Sequence, residues 1–208
     1  MNKKIKIFII TIAILATTMV GFVLFFNRAP QRDVPVGNTI VSPANGDIIH
    51  IETNTNNTFT FFKKDIENTL ILNDIPKPYK VVVIEMDPSD VHVQRAPIAG
   101  KVIYQEHFDG AHENALSSPN VERLVNLNEK NIVVFQNDDI KVGVVQVAGK
   151  AARRIRSYIS PNDRVDKGDI YGRIILGSQV VLIVPEKATI LPKVGDTLID
   201  GETIVATY

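Results

Sequence analysis

The chain has 208 residues, 45% hydrophobic and 22% charged, which suits one ordinary globular domain with an appendage. Its 23 basic and 23 acidic residues cancel, so it lacks the clustered positive charge that holds nucleic acid, and no aromatic-basic interleaving replaces it. Cysteine is absent, which excludes disulfides, thiolate metal sites and a cysteine nucleophile.

The first element is "IFIITIAILATTMVGFVLFF", Ile7 to Phe26, an uncharged run. At about 1.5 Å per helical residue it is long enough to cross a hydrocarbon core of roughly 30 Å. A cleavable signal peptide has a shorter apolar core followed by a small-residue cleavage site, and "NRAPQRDVPVG" does not supply one. Residues 1–28 therefore read as a membrane anchor, which places the protein at the cell membrane. Lys3, Lys4 and Lys6 on one side and Arg28 and Arg32 on the other are too evenly split to set the orientation.

Residues 29–37 form a connector containing proline and glycine. From residue 38 onward, short β-type runs follow one another: "NTIVS", "DIIHIE", "TFTFF", "KVVVIEM", "VHVQR", "KVIYQ", "NIVVFQ", "IKVGVVQVAG" and "VVLIVP". This spacing predicts a mainly β fold, a compact sandwich or barrel over residues 38–208. "NALSSPNVERLVNLNEK", Asn114 to Lys130, reads as a loop carrying a short helix. "RVDKGDIYGRI" and "KVGDTLIDGETI" echo each other, with Gly-Asp turns between valine and isoleucine, and predict hairpins of a flattened biotinyl/lipoyl-like barrel. A non-enzymatic, membrane-anchored adaptor barrel is one reading of such a chain.

"IILGSQVVLIVP", Ile174 to Pro185, reads as a single buried strand interrupted by Gly177-Ser178, a pair that weakens a strand core unless the backbone there has another task. Walker loops, H-E-x-x-H, G-x-S-x-G and metal-spaced histidine clusters are all missing. His50, His107 and His112 sit in polar or turn-like contexts and read as surface or structural side chains. His92, within "DPSDVHVQRAPIAG", is placed by alternation on the face opposite Val91 and Val93.

Five motifs occur in one order: "VSPANG" (Val41 to Gly46), "DVHVQRAPIAGKV" (Asp90 to Val102), "NEKN" (Asn128 to Asn131), "VGVVQVAGKAARRI" (Val142 to Ile155) and "LGSQ" (Leu176 to Gln179). Together they resemble the short, membrane-associated phosphatidylserine decarboxylases, whose corresponding segments read VSPADG, DVHVNRAP, NERN and LGST or FGSR. The resemblance runs from about Phe25 to Pro185. It implies a proenzyme that cuts itself between Gly177 and Ser178 into a β chain, 1–177, and an α chain, 178–208, which stay together as a heterodimer. Ser178 is then both nucleophile and precursor of a covalent pyruvoyl cofactor, with His92 as its general base. The pyruvoyl carbonyl condenses with the amine of phosphatidylserine and acts as an electron sink while CO2 leaves, giving phosphatidylethanolamine without a metal or diffusible cofactor. The resemblance also makes a phospholipid and its membrane the partners, with Arg153 and Arg154, beside Arg156, as candidates for the lipid phosphate.

One position departs from the pattern. Asn45 stands where the family has an aspartate that orients the histidine, and the same change in a serine protease triad costs about 10⁴ in rate. Maturation happens once per molecule and tolerates a slow step. Other outcomes are that Asp47 takes the orienting role or that the chain is an uncleaved pseudoenzyme. A phosphatidyl or archaetidyl backbone on the substrate, and a homo-oligomeric state, are left open by the residues.

Overall fold

The computed structural model describes residues 3–56, 58–63, 66–71, 75–109, 129–148, 155–174 and 178–208. A helix, α1 (Lys3–Phe26), opens the chain. The strands that follow are β1 (Thr39–Val41), β2 (Gly46–Asn54), β3 (Thr58–Lys63), β4 (Ile66–Ile71), β5 (Tyr79–Met86), β6 (Val93–Arg95), β7 (Gly100–Phe108) and β8 (Lys130–Gln136). After them come β9 (Lys141–Val147), β10 (Ile155–Ser157), β11 (Arg164–Val165), β12 (Ile170–Ile174), β13 (Ser178–Pro185), β14 (Thr189–Ile190), β15 (Thr197–Leu198) and β16 (Ile204–Thr207). The mainly β expectation holds.

An antiparallel eight-stranded sheet in the order β11-β7-β8-β9-β13-β5-β2-β15 curls into a half-barrel. β13 lies near its middle, bonded to β9 on one side and β5 on the other. This explains why "VVLIVP", Val180 to Pro185, is an unbroken apolar run rather than an alternating one: both faces of the strand are covered. Val180, Leu182 and Val184 enter the larger core with Val82, Ile84, Val133 and Val144. Val181 and Ile183 enter a second cluster on the other face with Val81, Val83 and Val145.

Two three-stranded sheets, β10-β12-β6 and β1-β16-β14, complete the larger core. Ile155, Tyr171 and Ile174 come from the first; Ile40, Val205 and Ala206 come from the second. The Tyr171 ring meets Phe135 of β8 edge-on at 5.3 Å, fixing β12 across the curl of the large sheet.

The structure corrects two expectations. "IILGSQVVLIVP" is two strands in different sheets, β12 ending at Ile174 and β13 starting at Ser178, so the chain changes sheet before Ser178. "RVDKGDIYGRI" and "KVGDTLIDGETI" are not hairpins. β11 pairs with β7 while β12 pairs with β6 and β10, and β15 pairs with β2 while β16 pairs with β1 and β14. Their turn chemistry is nonetheless shared. The main-chain N–H of Asp166 donates to Asp169 Oδ2 at 2.8 Å and that of Lys193 to Asp196 Oδ2 at 2.9 Å, around Gly168 and Gly195 in the left-handed region at φ 89° and 92°. The loop with a short helix expected over Asn114 to Lys130 lies outside the described residues except for Glu129 and Lys130, the latter beginning β8.

α1 spans 24 residues, about 36 Å at the helical rise, and its side chains are exposed along nearly the whole length. It is long and apolar enough to anchor in a membrane. The connector after it is docked on the domain. Arg95 donates through Nη2 to Pro30 O at 2.6 Å and through Nη1 to Gly168 O at 2.8 Å, while its Nε binds Asp200 Oδ2 at 2.6 Å. Arg32 takes the other oxygen of the fully buried Asp200 at 2.5 Å.

Candidate active site

Ser178 is the first residue of β13, paired in register with Met86, the last residue of β5, and is 1% exposed. By alternation its side chain shares a face with Val180 and Leu182, so it points into the larger core at one end of the sheet. Its hydroxyl donates to Met86 Sδ at 3.1 Å. A thioether is a weak acceptor, so the buried Oγ is not committed to a strong hydrogen bond.

His92 lies in the chain just before β6, and it is as buried as Val91 and Val93 on either side: 2% exposed against 5% and 1%. Its Nδ1 is 2.8 Å from Asp90 O. A carbonyl only accepts, so Nδ1 carries the proton and Nε2 presents its lone pair. That Nε2 is buried and has no hydrogen-bond partner among the described residues. Burial pushes the His92 pKa below its ordinary value; the Asp90 carbonyl and charge oppose this, and the charges of Arg28 and Arg173 add to it. The imidazole is therefore neutral at pH 7, with a free basic nitrogen.

A run of buried amides supports this corner. Asn131 Nδ2 donates to Gln146 Oε1 at 2.7 Å, and Gln146 Nε2 donates to Gln94 Oε1 at 2.8 Å. Gln94 Nε2 reaches His92 O at 3.2 Å and lies 3.7 Å from Met86 Sδ, the atom that also receives the Ser178 hydroxyl. Ile174 N donates to the same His92 carbonyl at 3.1 Å. All three amide side chains are fully buried. Ser178 and His92 are thus linked through Met86 and Gln94, on elements drawn from two sheets. The sequence reading did not single out Gln94, Gln146 or Asn131; the available signal was amides inside otherwise apolar strands, which need partners when buried.

Asn45 is engaged elsewhere. Its Oδ1 accepts the main-chain N–H of Asp200 at 2.8 Å and Arg32 Nη2 at 3.4 Å. Asp47, the other candidate orienter, is exposed and receives the Thr197 hydroxyl. The group that holds the His92 tautomer is the Asp90 carbonyl. Asn45→Asp is accordingly expected to change the rate at which the 178–208 fragment appears by less than about tenfold, some 1.4 kcal/mol of barrier. A larger acceleration, followed by mass spectrometry of the full-length chain, would show that position 45 acts on His92 after all.

Gly177, Arg153 and Arg154 lie outside the described residues; Arg156, on β10, is exposed. His50 pairs with Glu52 and His107 with Glu129, both at the surface, and His112 is outside the described residues. No group of three or more metal-binding side chains occurs among the described residues.

The end of α1 reaches the same corner. The Phe26 ring is 6.1 Å from the His92 ring. Arg173, on β12, donates to Phe26 O at 3.0 Å and Asn27 O at 3.0 Å, and Arg28 donates to Ser89 O at 2.5 Å and stacks on Phe25 with its guanidinium carbon 3.9 Å from the ring centroid.

Comparison with known proteins gives the family. A protein of Methanocaldococcus jannaschii provisionally named archaetidylserine decarboxylase proenzyme is 38% identical over 99% of this chain and 97% of its own length. One of the same provisional name from Methanothermobacter thermautotrophicus is 38% identical over 95% and 85%. A phosphatidylserine decarboxylase proenzyme of Syntrophus aciditrophicus is 31% identical over 95% and 84%. The phosphatidylserine decarboxylase family profile matches residues 20–206, and the chain belongs to that family.

Proposed function

We propose that the chain is a proenzyme that cleaves itself between Gly177 and Ser178 and then, with a pyruvoyl group derived from Ser178, decarboxylates a serine-headed phospholipid at a cell membrane. One observation carries this reading: a buried serine hydroxyl without a strong partner, joined through Met86 and Gln94 to the main chain of a neutral histidine whose Nε2 is buried and unpartnered among the described residues. The relatives differ in the lipid backbone that their names imply but share the serine head, so the head group is the part of the substrate taken from them.

In maturation, His92 Nε2 takes the Ser178 hydroxyl proton while Oγ attacks the Gly177 carbonyl carbon, exchanging the amide for an ester. Loss of the Ser178 α-proton then expels the Gly177 carboxylate, and water replaces the nitrogen, which leaves as ammonia. The described residues around Ser178 fit a pyruvoyl group at that position: Met86 and the core valines form an apolar wall, and the nearby polar side chains among them are neutral amides. Such a group supplies an electron sink for the pair released with CO2. For the reaction itself the chain contributes a dry wall, the fixed His92 carbonyl and an Nε2 able to hold a proton and return it.

Intact mass of the purified full-length protein tests the reading. A 31-residue fragment, Ser178 to Tyr208, with a blocked amino terminus is expected; an uncleaved chain would point to a pseudoenzyme or an adaptor barrel. The pH dependence of maturation tests His92. Because its pKa is lowered, the neutral base persists below pH 6.5, so the rate is flat from pH 8 to about 6.5 and then falls about tenfold per unit once pH passes below the lowered pKa. Proenzyme made by cell-free synthesis and shifted into buffers from pH 5 to 8 reads this directly, and a midpoint above 6.5 would rule out the buried tautomer as the base.

A further inference from the structure

The proposed substrate brings two anionic groups to the site, a phosphodiester and a carboxylate, and two arginines whose charge acts on His92 have no carboxylate partner among the described residues. Arg28 and Arg173 make no ion pair among the described residues. Their partners are uncharged: Phe25 O and Ser89 O for Arg28, and Phe26 O, Asn27 O and Asn27 Oδ1 for Arg173. An arginine has five N–H donors, so each keeps at least its Nε–H and one Nη hydrogen without a partner among those residues. Both are half-buried, and both lie close enough to His92 for their charge to act on it.

Their place in the fold is as informative as their charge. Arg28 is two residues beyond the last residue of the apolar helix, and Arg173 is bound to the carbonyls of that same exit. This is the level at which a membrane presents its phosphates when α1 is inserted, and where arginine side chains extend toward head groups. A planar guanidinium fork matches phosphate oxygens.

We infer that Arg28 and Arg173 form the subsite for the phosphodiester of the lipid substrate, at the junction of the membrane helix and the catalytic corner. This rests on the decarboxylase reading above. The carboxylate is the poorer match for these cations, because it must leave as neutral CO2. A tight guanidinium pair would stabilise the charge that the reaction has to lose. Phosphate held at the helix exit leaves the serine head free to reach inward past Phe26 toward His92 and position 178. The subsite replaces Arg153 and Arg154 as the primary candidate.

Capping of the helix carbonyls is the competing account of the same arginines, and the test separates the two. The full-length Ser178→Ala chain, in nanodiscs of choline lipid, is titrated calorimetrically with short-chain phosphatidylserine, with a phosphate-free serine ester and with inorganic phosphate. Arg28→Gln and Arg173→Gln are each expected to weaken phosphatidylserine binding about tenfold or more, as for a lost charge-assisted hydrogen bond, with Arg173→Lys retaining part of it. The serine ester should bind weakly and indifferently to both changes. Unchanged phosphatidylserine affinity in the glutamine variants overturns the subsite. So does a loss that tracks lowered thermal stability and affects the serine ester equally, which is the signature of capping. Inorganic phosphate binding as tightly as the lipid would make it a free-phosphate site and also overturn the assignment. Appearance of the 178–208 fragment from the parent chain is scored separately. If the parent cleaves but the arginines do not matter, only the subsite falls; if the parent never cleaves, the decarboxylase reading falls with it.

Discussion

Replacing Ser178 with alanine is expected to leave one 23.0 kDa chain where the parent yields a 31-residue C-terminal fragment. The expected loss is complete, because in the proposed mechanism the hydroxyl is the attacking atom and no neighbouring side chain among the described residues can replace it: the partner across the strand pair is a methionine, and the amides beside it are neutral and mutually bonded. Removing one oxygen from a serine whose hydrogen bond goes to a thioether should disturb folding little, so an uncleaved but folded product isolates the chemistry from the packing. Denaturing electrophoresis and intact mass of membrane-extracted protein read the result. A fragment still ending at Tyr208 but beginning elsewhere would show adventitious proteolysis; one beginning at residue 178 would sink the mechanism. In the parent, the fragment should remain attached under native conditions. β13 is bonded on both edges, β15 pairs with β2 and β16 with β1, so the short piece is built into three places of the fold.

Elements that could be read from the sequence were those whose physics is local. The membrane helix is a continuous apolar run, and β13 is a Val/Ile-rich stretch because both of its faces are covered. β11, β14 and β15, two residues each, carry no periodicity, and their partners β7, β16 and β2 are set by the whole fold. That is why "RVDKGDIYGRI" and "KVGDTLIDGETI" carry the turn chemistry of hairpins while their strands pair elsewhere. Ser178 and His92 stood out through their motifs. The support around them did not, because it is made of long-range pairs such as Gln94 with Gln146, 52 residues apart, or a main-chain carbonyl, which every residue has. Asn45 shows the limit of a motif most clearly: its position suggested a link to His92, but its hydrogen bonds go to Asp200 and Arg32.

Asp200→Asn carries the largest stability effect expected of a single substitution outside the catalytic corner. Asp200 is fully buried, and its two oxygens are divided between Arg95 Nε at 2.6 Å and Arg32 Nη2 at 2.5 Å, with side-chain exposures of 9% and 12% for the two arginines. An amide at this position keeps the shape but removes the charge and turns one acceptor into a donor facing a guanidinium. Breaking a buried ion pair from one side costs about 3–5 kcal/mol, since the remaining cation stays desolvated. For a domain of this size that corresponds to a fall in Tm of roughly 6–20 °C. The pairs also bridge the cleavage point: Arg32 and Arg95 precede Ser178, and Asp200 follows it, 168 and 105 residues away. In the uncleaved chain the loss is only one of stability, whereas after the proposed cleavage the same contacts would help to hold a separate 31-residue chain. Asp200→Asn is therefore expected to lower Tm in the Ser178→Ala background and, in the cleaved protein, to release the fragment at denaturant concentrations where the parent retains it. Both are measured by thermal unfolding and native mass spectrometry in detergent. Arg32→Gln, which leaves the Arg95 pair and the Pro30 and Gly168 carbonyl bonds intact, should cost less than half as much. Equal effects from the two substitutions would mean that the outer pair, not the buried one, holds the chains together.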